Sequence, residues 1–245
     1  MANTTVAPEG AETFNATAGL LRLRTLVRLR WLAVFGQSLA VLGVHFILDF
    51  PLPLGACLGV IALSAWLNIF LTLRWRSSLR LAPTQAGLLL GYDVIQLALL
   101  LYLTGGLQNP FAFLFLVPVT VSATSLPLKW TLWLSTIAFL CASFLAFFHL
   151  PLPWNTAAPL VLPKAYIAGL WAAIMCGVVF SSIYARRIAE EARQMSSALT
   201  AAELVLAREQ RLSALDGLAA AAAHELGTPL ATIALVAKEL KRELP

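Results

Sequence analysis

Charged residues are scarce in this sequence. Of its 245 residues only 12% are charged and 60% are hydrophobic, whereas an ordinary soluble domain carries roughly 25% charged residues. A chain with so little charge cannot cover itself with polar surface, so lipid must act as part of its solvent. The net charge of +5 lies mostly outside the apolar runs, which indicates membrane topology rather than direct binding of nucleic acid.

Cysteine is also rare, and no cleavable signal peptide is recognisable. Cys57, Cys141 and Cys176 each stand alone in an apolar segment, so they offer neither a disulfide framework nor a metal clamp and are expected to be small buried hydrophobes. Residues 1–20 are small and polar without an apolar core, which predicts a disordered N-terminal tail.

Long apolar runs dominate the remainder of the first 184 residues. Six of them have roughly the length needed to cross a bilayer. The predicted spans are Trp31–Leu48, Leu54–Leu73, Ala86–Leu103, Phe111–Leu126, Trp130–Leu150 and Lys164–Tyr184. The fourth is the shortest and contains Pro118, so its limits are the least well defined.

Positive charge predicts the orientation of these spans, because Lys and Arg accumulate in cytoplasmic segments. The basic residues on one side are Arg22, Arg24, Arg28, Arg30, Arg74, Arg76, Arg80, Lys129, Arg186, Arg187 and Arg193. The opposite connections contain no Lys or Arg before Lys164. Both termini are therefore predicted to be cytoplasmic.

One connection has an unusual composition. Residues 104–111, Thr-Gly-Gly-Leu-Gln-Asn-Pro-Phe, are called the glycine loop below. Gly105 and Gly106 permit positive φ, and Asn109-Pro110 favours a turn into a helix, so the loop is interpretable as a tight interhelical turn. The amides of Gln108 and Asn109, followed by Phe111, also suit an apolar pocket for a lipophilic ligand with carbonyl acceptors.

Ionisable residues within the spans are the other candidates. His45 and His149 lie near span ends on the same side as the glycine loop; each is either an interfacial residue or a hydrogen-bonding or proton-donating group for a quinone headgroup. Asp93 lies midway along the third span, where a carboxyl group is costly and suggests function. It is expected to be neutral or to pair with Gln96 or Asn68.

The composition changes abruptly after Tyr184, where a charged helical segment begins. Apolar residues alternate at spacings of four and three, which is typical of a coiled coil. This apolar seam comprises Ile188, Ala192, Met195, Leu199, Ala202 and Leu206. Leu212 and Leu215 start a new phase, which predicts locally altered supercoiling.

His224 lies in an alanine-rich helical segment beyond the seam. A zinc protease helix requires His-Glu-x-x-His, but Thr228 occupies the position of the second histidine. A buried packing histidine would be expected on the seam, but His224 lies two residues beyond Ala222. The remaining interpretation is a nucleophilic imidazole, with Glu225 accepting its proton and Thr228 orienting a water molecule. Pro229 lacks the N–H that the Glu225 carbonyl would accept, which predicts a bend.

The segment His224–Leu230 resembles the phosphoacceptor box of sensor histidine kinases, whose common form is His-Glu-x-x-Thr/Asn-Pro-Leu. Gly227 stands where Arg or Lys is commoner. The resemblance implies that His224 accepts the γ-phosphoryl group of ATP with Mg²⁺ present, that Glu225 is the general base, and that Thr228 assists dephosphorylation of a response regulator.

The six spans, the glycine loop and the sequence Ala-His-Glu-Leu-Gly-Thr-Pro-Leu together resemble the RegB/PrrB/ActS family of redox-responsive kinases, from about residue 20 onward. The resemblance implies quinone binding at Gly105, Gly106, Gln108, Asn109, Pro110 and Phe111. It also implies phosphotransfer to an Asp of a RegA/PrrA-type regulator that controls photosynthesis and respiration genes in bacteria.

The predicted fold is therefore an all-α membrane protein: a six-helix bundle, a dimeric cytoplasmic coiled coil and a phosphoacceptor helix. The predicted segments are a cytoplasmic tail (1–28), a membrane sensor domain (29–184), a cytoplasmic coiled-coil linker (185–217) and an incomplete phosphoacceptor helix (218–245). The predicted location of the protein is the bacterial inner membrane.

Without ATP-binding motifs, this chain alone is expected to be an inactive homodimer. Two alternatives are a kinase that reads a neighbouring membrane protein such as a terminal oxidase, and a transporter that uses Asp93.

Overall fold

A computed structural model of the chain describes residues 23–74, 81–154 and 162–243, except for the side chains of residues 220, 228 and 239–243. Residues 1–22 of the predicted N-terminal tail (1–28) and the basic residues Arg22, Arg76 and Arg80 lie outside these ranges, whereas residues 23–28 belong to the first helix. The α-helices are α1 (Leu23–Phe46), α2 (Leu54–Arg74), α3 (Pro83–Leu103), α4 (Leu116–Ser125), α5 (Leu128–Phe147) and α6 (Lys164–Glu243). Two 3₁₀ segments, Gly106–Gln108 and Pro110–Phe115, connect α3 to α4.

The predicted all-α membrane fold is confirmed. Within the described ranges no residue forms a β-strand, and five helices are long and apolar enough to cross a membrane. These five are α1, α2, α3, α5 and the helix that begins at Lys164. Helices satisfy their backbone hydrogen bonds internally, which lipid requires of any spanning segment.

The fourth predicted span, Phe111–Leu126, agrees within one residue at each end with an apolar helix of the structure, but that helix has a two-part backbone. Pro110–Ser125 is a shorter apolar helix that begins as a 3₁₀ segment and becomes α-helical only at Leu116. Pro118 explains the late start: it lies in the first turn of α4, where a residue without an N–H loses no helical hydrogen bond. The sequence pattern detected the apolar segment but not its two-part backbone.

Helix α1 extends further toward the N-terminus than the first predicted span, Trp31–Leu48. The described part of α1 runs from Leu23 to Phe46. Leu23, Leu26 and Arg30 recur at intervals of three and four residues, which places them on one side of a helix, and all three are at most 3% exposed. The basic segment that was assigned to the cytoplasmic flank is therefore partly packed into the bundle.

The bundle core combines several helices with the glycine loop. Leu23 and Leu26 of α1 share one buried cluster with residues of α3, α4, α5 and the membrane part of α6. Phe115, which follows the glycine loop, is the largest of the fully buried side chains. Van der Waals packing of this ring therefore anchors the loop in the core at its C-terminal side.

The cysteines only partly follow the prediction. Cys57 is buried, Cys141 is half-buried and Cys176 is exposed. The expectation of burial is therefore wrong for Cys176. The surface of a membrane helix can face lipid instead of protein, so an apolar thiol there does not require a packed environment.

The chain divides into two compact units, residues 1–189 and residues 190–245. In the second unit every side chain that the structure describes is exposed. The exposed residues include Met195, Leu199 and Leu206 of the apolar seam, at 78%, 62% and 55%. Apolar side chains in such a row are the kind of surface that a coiled-coil partner covers.

We predict that Gly106→Ala destabilises the protein by about 1–3 kcal/mol, because Gly106 has a φ of +60° and an added Cβ would lie 2.6 Å from Cγ of His149. Thermal unfolding in lipid nanodiscs measures the effect. Gly59→Ala is the matched control, since nothing lies within 4 Å of an added Cβ there. Equal unfolding temperatures for Gly106→Ala and the wild type would contradict the prediction.

Candidate functional site

The first half of the glycine loop packs against the segment that follows α5. Cβ atoms added to Gly105 and Gly106 would collide with Leu152 and His149, respectively, so only glycine allows this close approach. The N–H of Leu150 donates to the carbonyl of Tyr102 at 2.9 Å. Gly105 and Gly106 therefore hold two interhelical connections together.

Gln108 and His149, which the sequence linked only by their predicted side of the membrane, lie next to each other. Nε2 of Gln108 is 3.4 Å from Nε2 of His149, and Nδ1 of His149 is 2.8 Å from the carbonyl oxygen of Leu150.

The other candidate histidine, His45, makes an edge-to-face contact with Phe46. Its buried Nδ1 has no hydrogen-bond partner among the residues that the structure describes.

The side chain of Asn109 is fully engaged within the loop. Its Nδ2 donates to the carbonyl oxygen of Thr104 at 3.1 Å and to the hydroxyl of Thr104 at 2.8 Å. Its Oδ1 accepts from the N–H of Phe111 at 2.9 Å, which caps the 3₁₀ segment that Pro110 begins. Asn109 therefore orients Phe111 through backbone geometry, and its amide has little capacity for a ligand.

Helices α1, α3 and α4 line a partly open cavity of about 450 Å³, a size typical of small-molecule sites. Its wall is mainly apolar. Asn109 and Phe111 of the glycine loop line it, whereas Gly105, Gly106, Gln108, His45 and His149 do not. The predicted ligand-binding residues are therefore divided between the cavity wall and the junction beside it.

Four polar side chains lie along the α1 and α3 wall of the cavity: Arg30, Gln37, Asp93 and Gln96. Arg30 Nε lies 2.9 Å from Asp93 Oδ1, and the guanidinium lies 5.0 Å from the centre of the Tyr92 ring. Gln96 Nε2 donates to Gln37 Oε1 at 2.9 Å. We refer to these four residues as the polar wall.

The predicted partners of Asp93 were wrong. Asp93 pairs with Arg30, while Gln96 pairs with Gln37, and Asn68 donates to the carbonyl oxygen of Val27 at 3.1 Å. The sequence reasoning missed Arg30 and Gln37 because Arg30 was assigned to the cytoplasmic flank. Their seven-residue spacing, which places both on one side of α1, is the signal that could have identified them.

The predicted phosphoacceptor segment lies on helix α6. His224 and Glu225 are both exposed, so a reactant can approach the imidazole and the carboxylate from solvent. Pro229 is inside the helix, which leaves the Glu225 carbonyl without its usual N–H donor. The side chain of Thr228 lies outside the described part of the structure.

This fold and these sites define a multi-pass, all-α membrane protein with a partly polar cavity between its helices and a charged helix bearing an exposed His-Glu pair. The family model for the PilS-like transmembrane domain, a six-transmembrane domain, matches residues 16–198. The chain belongs to this family.

The chain is also similar to two sequences of the sensor histidine kinase RegB from Cereibacter sphaeroides, one of them from strain ATCC 17023. Each is 45% identical over 237 residues, which cover 97% of this chain and 51% of the relative. The predicted resemblance to the RegB/PrrB/ActS family is thereby confirmed, and the chain spans about half the length of these relatives. No solved structure is significantly similar to it.

We predict that Asp93→Asn destabilises the bundle by about 3–5 kcal/mol, because it leaves the charge of Arg30 buried without its partner. The double substitution Arg30→Met/Asp93→Leu removes both charges and is expected to recover most of the lost stability. Thermal unfolding in nanodiscs compares the two forms. If the double variant were no more stable than Asp93→Asn, the buried charge would not be the cause.

Proposed function

We propose that this chain is the sensor and phosphoacceptor part of a membrane-bound sensor histidine kinase. The observation that carries the proposal is the exposed His224-Glu225 pair on the helix that follows the membrane bundle. The similarity to RegB, whose name describes a sensor histidine kinase, supports it over nearly the whole chain.

In the proposed reaction, a ring nitrogen of His224 attacks the γ-phosphorus of ATP. The nitrogen–phosphorus bond forms as the bond from the γ-phosphorus to the bridging oxygen breaks, and ADP leaves. The proton on the other ring nitrogen passes to Glu225, which lies next in sequence. The missing helical hydrogen bond before Pro229 makes this turn easier to deform during the reaction.

We further propose that the chain acts as a homodimer in the bacterial inner membrane with both termini in the cytoplasm. The exposed apolar seam from Ile188 to Leu206 supports dimerisation through a coiled coil. The positive residues on one side of the spans support the orientation. An Asp of a RegA/PrrA-type response regulator would then receive the phosphoryl group from His224. Thr228 would assist the later dephosphorylation of that regulator by orienting a water molecule.

The proposed signal is the redox state of the quinone pool, which links the kinase to photosynthesis and respiration genes. The cavity supports a lipophilic ligand because its wall is mainly apolar and its size fits a small molecule. Phe111 lines the cavity directly. The other predicted residues near the loop would act indirectly, by fixing the loop that presents Phe111. They are Gly105, Gly106, Gln108, Asn109, Pro110 and His149.

Replacing Glu225 tests the proton-transfer role. In a form of this chain fused to a kinase ATP-binding domain, Glu225→Gln is expected to reduce phosphorylation of His224 roughly 10²- to 10⁴-fold, because the general base is lost. Radiolabelled ATP and gel electrophoresis measure the label. Glu203→Gln is the matched control on the same helix.

In the same fusion, His224→Gln should abolish labelling altogether, because no other imidazole is placed to accept the phosphoryl group. Retained labelling in His224→Gln would rule out the proposed phosphoacceptor. Normal labelling in Glu225→Gln would contradict only the proposed role of Glu225 as general base, and His224 would remain the proposed phosphoacceptor.

Replacing Phe111 tests the ligand proposal. Phe111→Ala is expected to weaken the binding of ubiquinone-1 roughly tenfold, because an aromatic wall of the cavity is lost. Phe113→Ala is the matched control, since Phe113 is equally exposed at 47% but does not line the cavity. The binding constant is measured in nanodiscs by tryptophan fluorescence quenching. Equal weakening by both substitutions would argue against a specific site.

A further inference from the structure

The polar wall has more donors than acceptors. Nη1 and Nη2 of Arg30 are buried and have no hydrogen-bond partner in the ranges that the structure describes. Gln37 and Gln96 exchange hydrogen bonds with each other at 2.9 Å and 3.5 Å, so each amide keeps one further N–H. Buried donors usually find an acceptor in folded proteins, so this cluster has donor capacity that a ligand acceptor can use.

The charge of the polar wall restricts what that acceptor is. The carboxylate of Asp93 already balances the guanidinium of Arg30, so the pair has no net charge. A second anion in this apolar surrounding would be buried without compensation, which is strongly unfavourable. A neutral carbonyl oxygen accepts hydrogen bonds from the same donors without adding a charge.

The remainder of the cavity suits the body of a lipophilic molecule. Leu90, Leu97 and Leu114 line it, and the neighbouring lining residues Leu32 and Phe111 are 68% and 47% exposed. Exposure of these apolar residues in a membrane domain means that the cavity opens toward lipid. A ligand dissolved in the bilayer can therefore enter from the side.

We propose that the cavity binds a lipophilic ligand through a neutral carbonyl oxygen, which the guanidinium of Arg30 and the Gln37–Gln96 amide pair hold between α1 and α3. The identification of that ligand as a quinone rests on the proposed function. The headgroup then contacts the polar wall, and the glycine loop positions Phe111 against the body of the ligand. The amide of Asn109 remains a capping group.

The test measures binding of ubiquinone-1 to the whole chain in nanodiscs by equilibrium dialysis. Arg30→Met/Asp93→Leu removes the donors without leaving a buried charge, and it is expected to bind at least roughly tenfold more weakly than the wild type. Arg74→Met, the same chemical change at an exposed arginine at the end of α2, is the control and is expected to bind like the wild type.

A second variant covers the case in which the double variant does not fold. Arg30→Lys keeps a positive charge beside Asp93 but removes the planar guanidinium fork, and it should also weaken binding. Dodecanoate, which offers a carboxylate on a similar apolar body, is a competitor that should not displace ubiquinone-1.

The outcomes separate the two proposals. If ubiquinone-1 bound to Arg30→Met/Asp93→Leu and to Arg30→Lys as tightly as to the wild type, the role of the polar wall would be overturned. The proposal of quinone sensing would remain. Displacement of ubiquinone-1 by dodecanoate would overturn the selectivity for a neutral acceptor. Absence of binding to the wild type would overturn both this inference and the quinone part of the proposed function, but not the role of His224.

Discussion

The ion pair between Arg30 and Asp93 is the contact around which the polar side chains inside the membrane bundle are arranged. Arg30 is 3% exposed, and a guanidinium at such a position is tolerated only beside an opposite charge. The pair connects α1 to α3, and the hydrogen bond from Gln96 to Gln37 connects the same two helices. Arg30, Asp93, Gln37 and Gln96 together form the polar wall of the cavity, so the contacts between these helices also give the site its polarity.

The sequence predicted the existence and most limits of the helices, because an apolar run of spanning length is a strong signal. It failed where the backbone departs from that simple pattern. The 3₁₀ start before Leu116 depends on the capping of Phe111 by Asn109 and on the place of Pro118 in the first turn, neither of which alters hydropathy. Arg30 was misplaced because charge alone does not distinguish a flanking residue from a buried partner.

The candidate site was predictable in composition but not in geometry. The glycine loop was recognisable from its sequence, yet its residues serve two purposes: Gly106 and Gln108 contact His149, whereas Phe111 reaches the cavity. Residue types show which chemistry is available, but only the fold shows which side chains share a space. The His224-Glu225 segment was easier to predict, since its features are contiguous along one helix.

The contact between Gly106 and His149 has a consequence for sequence variation. The ring of His149 occupies the volume that a side chain at position 106 would need, and the φ of +60° at Gly106 strains any other residue whatever the space. The restriction is therefore one-sided: a smaller residue at position 149 leaves position 106 limited to glycine. Divergent descendants of this chain should retain glycine at position 106 even where position 149 has changed.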